Sequence, residues 1–235
     1  MYVATATEME KSMFYNQLDR LSLFKELTNG EAQRVCECLG ANPRQFKKGE
    51  TVISEGGRVK QFGIVLGGRA ESFKSDPSGR RFTVAVINEG GYIGILLAGL
   101  ADSQRRSPVT VIATDRLTVL FVPFDKLVRP CSNACKAHTK VLSNFIEAVS
   151  DKALFLFQRM DCLVKPNIRQ KVLTYLHQAA LEQQSNTVEL EFDREGLGDY
   201  LNVERSALSR ELSNMKKDGW IDYYRNVFKL LHKVD

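Results

Sequence analysis

The stretch Asp193-Arg194-Glu195-Gly196-Leu197-Gly198-Asp199-Tyr200-Leu201-Asn202-Val203-Glu204-Arg205-Ser206-Ala207-Leu208-Ser209-Arg210-Glu211-Leu212 decides how the chain is read. Asp193 is suited to cap a helix whose Leu197 and Leu201 face inward, and Asn202-Val203 supply a tight turn into a second helix. In that second helix Leu208, Leu212 and Met215 form the predicted buried stripe. At about 100° per residue the stripe leaves Ser206, Ser209, Arg210, Ser213 and Lys217 on the opposite face, with Arg205 beside them. This is the grammar of a helix-turn-helix, whose second helix enters a DNA major groove by its N-terminal turns. Arg205 and Arg210 are the candidate base readers, because arginine donates two hydrogen bonds to guanine N7 and O6. Ser206 and Ser209 are short enough to let the helix sit deep and can donate to bases or phosphates, Ser213 is a further DNA-binding candidate on the same face, and Lys216 and Lys217 are assigned to the phosphate backbone. The residues that follow, Asp218-Gly219-Trp220-Ile221-Asp222-Tyr223 and then Phe228-Lys229-Leu230, read as a turn and a hairpin wing.

Net charge adds little to this reading. The chain carries a formal +5, but residues 164–235 hold eleven Lys and Arg against eleven Asp and Glu, so the DNA argument rests on arrangement. With 235 residues, 43% hydrophobic and 26% charged, the sequence fits an ordered protein of two domains. No apolar run is long enough to span a membrane, and residues 1–11 show no apolar signal core, so the expected location is the cytoplasm. Five scattered cysteines, Cys36, Cys38, Cys131, Cys135 and Cys162, are expected as reduced thiols.

Working toward the N-terminus, residues 133–163 contain neither glycine nor proline, and Leu142, Phe145, Val149, Leu156, Met160 and Leu163 recur at three- and four-residue steps around Lys152. That period predicts a helix seam, and a helix of about 30 residues would run some 45 Å, a length natural for a dimer spine. The predicted dimer contacts are Leu142, Phe145, Val149, Leu156 and Met160. Before Pro130 the texture is strand and turn: Gly63-Ile64-Val65-Leu66 and Phe82-Thr83-Val84-Ala85-Val86-Ile87 lie between glycines, and Ser75-Asp76-Pro77-Ser78-Gly79 signals a hairpin. A compact antiparallel β-roll is expected there, with short helices over residues 21–27 and 31–39 packed on it. The predicted division is residues 1–132, 133–163 and 164–235, an α+β chain overall.

Four segments together resemble the CRP/FNR family of transcription regulators over nearly the whole length. They are Phe46-Lys47-Lys48-Gly49-Glu50-Thr51-Val52-Ile53-Ser54-Glu55-Gly56, Gly90-Gly91-Tyr92-Ile93-Gly94, Arg106-Ser107-Pro108-Val109-Thr110-Val111-Ile112-Ala113 and Arg205-Ser206-Ala207-Leu208-Ser209-Arg210. The resemblance implies an N-terminal cyclic-nucleotide-binding-like β-roll that senses an effector, a long dimerisation helix, and a C-terminal winged helix-turn-helix. It further implies a homodimer on a palindromic operator near promoters, with RNA polymerase as a further partner and the long helix passing the effector signal allosterically to the reading heads.

The resemblance also locates an effector site at Gly94, Ile95, Leu96, Arg106 and Ser107. In members that bind cyclic AMP the cassette reads Gly-Glu-Leu and then Arg-Ser-Ala, with the glutamate on the ribose hydroxyl and the arginine and serine on the phosphate. Here Ile95 follows Gly94 and accepts no hydrogen bond, a loss of about 1–3 kcal/mol for a buried polar partner, so the expected effector is not cyclic AMP. The oxygen-sensing branch holds an iron–sulfur cluster on N-terminal cysteines, whereas the first cysteine here is Cys36. A metal or redox sensor using Cys131 and Cys135, with His138 at helical spacing, is the alternative. A further alternative is a ligand-binding module whose helix-turn-helix reads no DNA. No cofactor is assigned. The sequence lacks Gly-x-Ser-x-Gly, a phosphate-binding glycine loop and His-Glu-x-x-His, so an enzyme is not expected.

Overall fold

The computed structural model describes residues 18–76, 78–98, 100, 104–129, 135–190 and 192–231. Cys131 and the predicted start of the long helix near 133 lie outside them.

Two compact units result, residues 1–150 and 151–235. The first opens with two 3-10 turns, Leu18–Arg20 and Ser22–Phe24, and the helix α1 (Asn29–Leu39). Thr28 and Glu31 form a capping box at its start, and Gly40, at φ 64°, ends it. Eight strands follow: β1 (Asn42–Phe46), β2 (Thr51–Ile53), β3 (Gln61–Gly67), β4 (Ala70–Ser75), β5 (Arg81–Ile87), β6 (Tyr92–Ile93), β7 (Thr110–Ala113) and β8 (Leu117–Pro123). They pair antiparallel into two sheets, ordered β1-β8-β3-β6 and β2-β7-β4-β5. The hairpin between β4 and β5 closes as its sequence predicts. Asp76 accepts from the Ser78 and Arg80 amides at 2.9 and 3.0 Å, and Gly79 takes φ 83°.

Phe46, Val65, Ile93, Val111, Val119 and Phe121 belong to one buried apolar cluster of this unit, and Leu23, Phe24, Val35, Phe62, Leu120, Val141 and Phe145 to a second. The apolar run of β5 behaves differently. It is the edge strand of its sheet, and Phe82, Val84 and Val86 stay exposed. Two short helices, α2 (Ile95–Ala98) and α3 (Phe124–Leu127), precede the long helix α4 (Lys136–Leu163).

The 28 residues of α4 correct the predicted seam. Phe145 is 5% exposed, with its ring 5.1 Å from Phe62 and 5.5 Å from Phe124, and Leu142 and Val149 pack against the same cluster. These three face their own β-roll. Leu156 and Met160 are exposed, and the most exposed apolar side chains of α4 and the residue after it are Ile146, Phe157 and Val164, at 57, 62 and 68%. The outward stripe is thus rotated from the predicted one by roughly a quarter turn.

The second unit consists of the end of α4, α5 (Ile168–Glu182), β9 (Thr187–Glu189), α6 (Arg194–Leu201), α7 (Arg205–Lys217), β10 (Ile221–Tyr224) and β11 (Val227–Leu230). Its three strands pair in the order β10-β11-β9. Cys162, Val172, Leu176, Val188, Leu197, Leu208, Leu212, Ile221 and Phe228 are fully or almost fully buried in its core.

Candidate nucleic-acid interface

Local chemistry sets both ends of the helix pair α6–α7. The Asp193 carboxylate accepts from the Gly196 amide at 2.8 Å and starts α6. Asn202 stops it in the left-handed region at φ 50° and ψ 57°, its amide donating to the Asp199 and Gly198 carbonyls. A side chain at position 198 would place its Cβ 3.1 Å from the Val203 carbonyl oxygen, so Gly198 is what lets the turn close on α6. Glu204 then caps α7. Its carboxylate accepts from the amides of Ser206 and Ala207 at 3.0 and 2.9 Å and from the Ser206 hydroxyl. Those bonds, the Ser206 hydroxyl first, hold the Glu204 carboxyl below its ordinary range.

Leu208, Leu212 and Met215 are fully buried, which fixes the rotation of α7. From α5, Arg169 reinforces that fix: its guanidinium meets Glu211 at 2.6 Å and Asp218 at 2.7 Å. Arg205, Ser206, Ser209, Arg210, Ser213 and Lys217 are exposed and line a shallow open concavity together with Glu204 and Asn214. The Ser213 hydroxyl donates to the Ser209 carbonyl at 3.0 Å, so its proton is directed back along the helix.

Lys216 departs from its expected place. Its ammonium lies 2.5 Å from Asp222 and 5.3 Å from the centre of the Tyr223 ring, on the wing rather than on the face shared by Lys217 and Arg210. Glu204 and Asn214 were missed in the sequence. The signals were a carboxylate just before the first helical residue and the four-residue step from Arg210. A second concavity brings Arg205 beside the wing residues Tyr224, Arg225 and Asn226; Tyr224 is 72% exposed and Arg225 adopts φ 52°.

The predicted effector residues fall around β6 and the segment before β7. Gly94 takes φ 73°, Ile95 is 3% exposed within the apolar cluster, and Leu96 is exposed. Arg106 donates to the Gly56 carbonyl at 3.0 Å, while buried Ser107 gives its hydroxyl proton to the Val109 carbonyl at 2.6 Å. Arg105, next to Arg106 in the chain, is 7% exposed: it donates to the Leu100 carbonyl, pairs with Asp125 at 2.9 Å and lies over the Phe124 ring.

For the metal reading, His138 is buried with its Nε2 2.8 Å from the Leu127 carbonyl oxygen, and the Cys135 sulfur accepts from the His138 amide at 3.3 Å. Among the described residues no three His, Cys, Asp or Glu side chains cluster as metal ligands. Nor is any described helix long and apolar enough to cross a membrane.

Two family models match the chain: one for the cyclic nucleotide-binding domain over residues 43–133 and one for the Crp-like helix-turn-helix domain over residues 170–232. The chain is similar to the cAMP-dependent protein kinase regulatory subunit of Mycosarcoma maydis, at 30% identity over 136 residues. That match takes in 55% of this chain but only a quarter of the kinase subunit. It is also similar to the nitrogen fixation regulation protein FixK of Bradyrhizobium diazoefficiens, 25% identical over 193 residues, covering 79% of this chain and 76% of FixK. Among solved structures, a variant of CooA from Carboxydothermus hydrogenoformans shares the fold at a TM-score of 0.56, with 16% identity and 88% of each chain covered.

Proposed function

Since the chain belongs to the CRP/FNR family of transcription regulators, we propose that it works as a homodimer that reads a palindromic operator and answers to an effector other than cyclic AMP. The observation that carries the DNA reading is the two-sidedness of α7. Leu208, Leu212 and Met215 are sealed in the core, so Arg205, Ser209, Arg210 and Lys217 have one fixed direction, outward. Helix-borne arginines near an N-terminus discriminate guanine by two parallel hydrogen bonds. Lys217, toward the other end, supplies a charge for phosphate. In the same reading the exposed Leu156 and Met160 take part in the subunit contact, and RNA polymerase is the partner met at a promoter.

The reading against cyclic AMP rests on side chains that are spoken for. Ile95 is an apolar core residue, and the Ser107 hydroxyl proton is committed to Val109. Neither offers a ribose hydroxyl or a phosphate what it needs.

The test is selection of bound fragments from random DNA by the full chain, followed by a salt titration. The expected result is an enriched palindrome and an affinity that falls steeply with salt, because phosphate contacts release counterions. Retention of all sequences alike would overturn the reading. Calorimetric titration with cyclic AMP is expected to give no saturable heat, and micromolar binding would reverse that part of the conclusion.

A further inference from the structure

The last carbonyls of a helix have no partners within it and concentrate the negative end of its dipole. At the end of α6 they are met from outside the helix pair. Arg159, on α4, donates through Nε to the Tyr200 carbonyl and through Nη2 to the Asp199 carbonyl, both at 3.0 Å. Lys171, on α5, donates to the Leu201 carbonyl at 3.2 Å. The Arg159 guanidinium also lies 5.7 Å from the centre of the Tyr200 ring, and Phe155, one turn earlier on α4, meets that ring edge-on at 5.6 Å. Three residues beyond this clasp the chain has passed through Asn202, Val203 and Glu204 and begins α7 at Arg205.

From this geometry we infer that Arg159 is a positioning residue for DNA reading: it sets the place of the helix-turn-helix turn, and through it the depth and angle at which Arg205 and Arg210 are presented. The guanidinium suits the task because its planar fork spans two successive carbonyls with fixed directions, which an ammonium does not do. Arg159, Lys171 and the carbonyls they meet all lie within the second compact unit, so the clasp is internal to the reading head. The inference rests on the DNA-reading function proposed above.

Its test uses the full chain carrying Arg159→Ala, Arg159→Gln or Arg159→Lys and an operator selected by the unmodified protein. The deciding quantity is the ratio of operator affinity to random-DNA affinity. General destabilisation lowers the active fraction and scales both affinities alike, whereas a misplaced α7 lowers the ratio. The ratio is expected to fall about tenfold in the alanine and glutamine variants, with partial recovery in the lysine variant, and the loss is expected to vanish when Arg210 is already alanine. An unchanged ratio in a folded alanine variant, or in the glutamine variant should alanine not fold, overturns the inference. Amide hydrogen exchange over residues 202–207 without DNA is expected to rise about tenfold in the same variants. That readout separates the two claims: a protein that selects no sequence defeats the DNA reading, while unchanged exchange at the turn defeats the clasp.

Discussion

Arg194 donates from Nη2 to the carbonyl oxygen of Arg225 at 3.0 Å, so the first residue of α6 holds the tip of the wing. The same guanidinium lies 5.0 Å from the centre of the Tyr223 ring and 4.8 Å from that of Phe228. Burial pushes its pKa down, yet an arginine keeps its charge. Replacing Arg194 with alanine is expected to destabilise the second unit by about 1–2 kcal/mol through the lost stacking and hydrogen bond. Urea unfolding followed by fluorescence of Trp220, the single tryptophan, measures it.

Base reading and phosphate contact separate by variant. Arg205→Ala and Arg210→Ala are each expected to lose about 1–3 kcal/mol of discrimination at particular base pairs. Lys217→Ala should weaken all sequences alike and reduce the salt slope by about 1. Lys216→Ala should change that slope less, because its ammonium already sits against Asp222. Quantitative binding to single-substituted operators at several salt concentrations checks all four, and equal selectivity in both arginine variants would remove α7 as the reader.

Acid should loosen the reading head at its cap. The folded state holds the Glu204 carboxyl below its ordinary value of 4.5, chiefly through the Ser206 hydroxyl and then the Ser206 and Ala207 amides. The cap therefore contributes fully above that value and is lost as pH falls through the lower folded one. Asp222, held down first by Lys216, acts in the same direction. Glu204→Gln should be less stable than the unmodified chain at neutral pH, and the gap should close as pH falls below 4.5 and through the lower folded value. A constant gap across the series would contradict the assignment.

Two phenylalanines of α4 should fail in different ways. Phe145→Ala is expected to cost about 3–5 kcal/mol of folding stability, since it empties a site packed against Phe62 and Phe124. Phe157→Ala removes an exposed ring and should leave stability nearly intact while weakening self-association about tenfold or more. Sedimentation equilibrium beside urea unfolding distinguishes them, and unaltered association in the Phe157 variant would place the subunit contact elsewhere.

What was legible in the sequence was whatever depends on near neighbours. The stripe of Leu208, Leu212 and Met215 follows from the helical period, the Asp193 cap from a side chain reaching three residues ahead, and the hairpin from Asp76 and Gly79. Each is decided within a turn or two of chain, so residue order determined it. The tertiary structure decided which neighbour covers each face. Periodicity put Phe145 on a seam with Leu156 and Met160, but Phe145 packs into the β-roll, and the most exposed stripe runs through Ile146, Phe157 and Val164 instead. It gave Lys217 to the reading face and Lys216 to Asp222 on the wing. Arg159 meets the Tyr200 carbonyl across 41 residues of chain, a contact that no local spacing encodes. A period specifies a direction around an axis, whereas a partner is specified only once distant segments have packed against it.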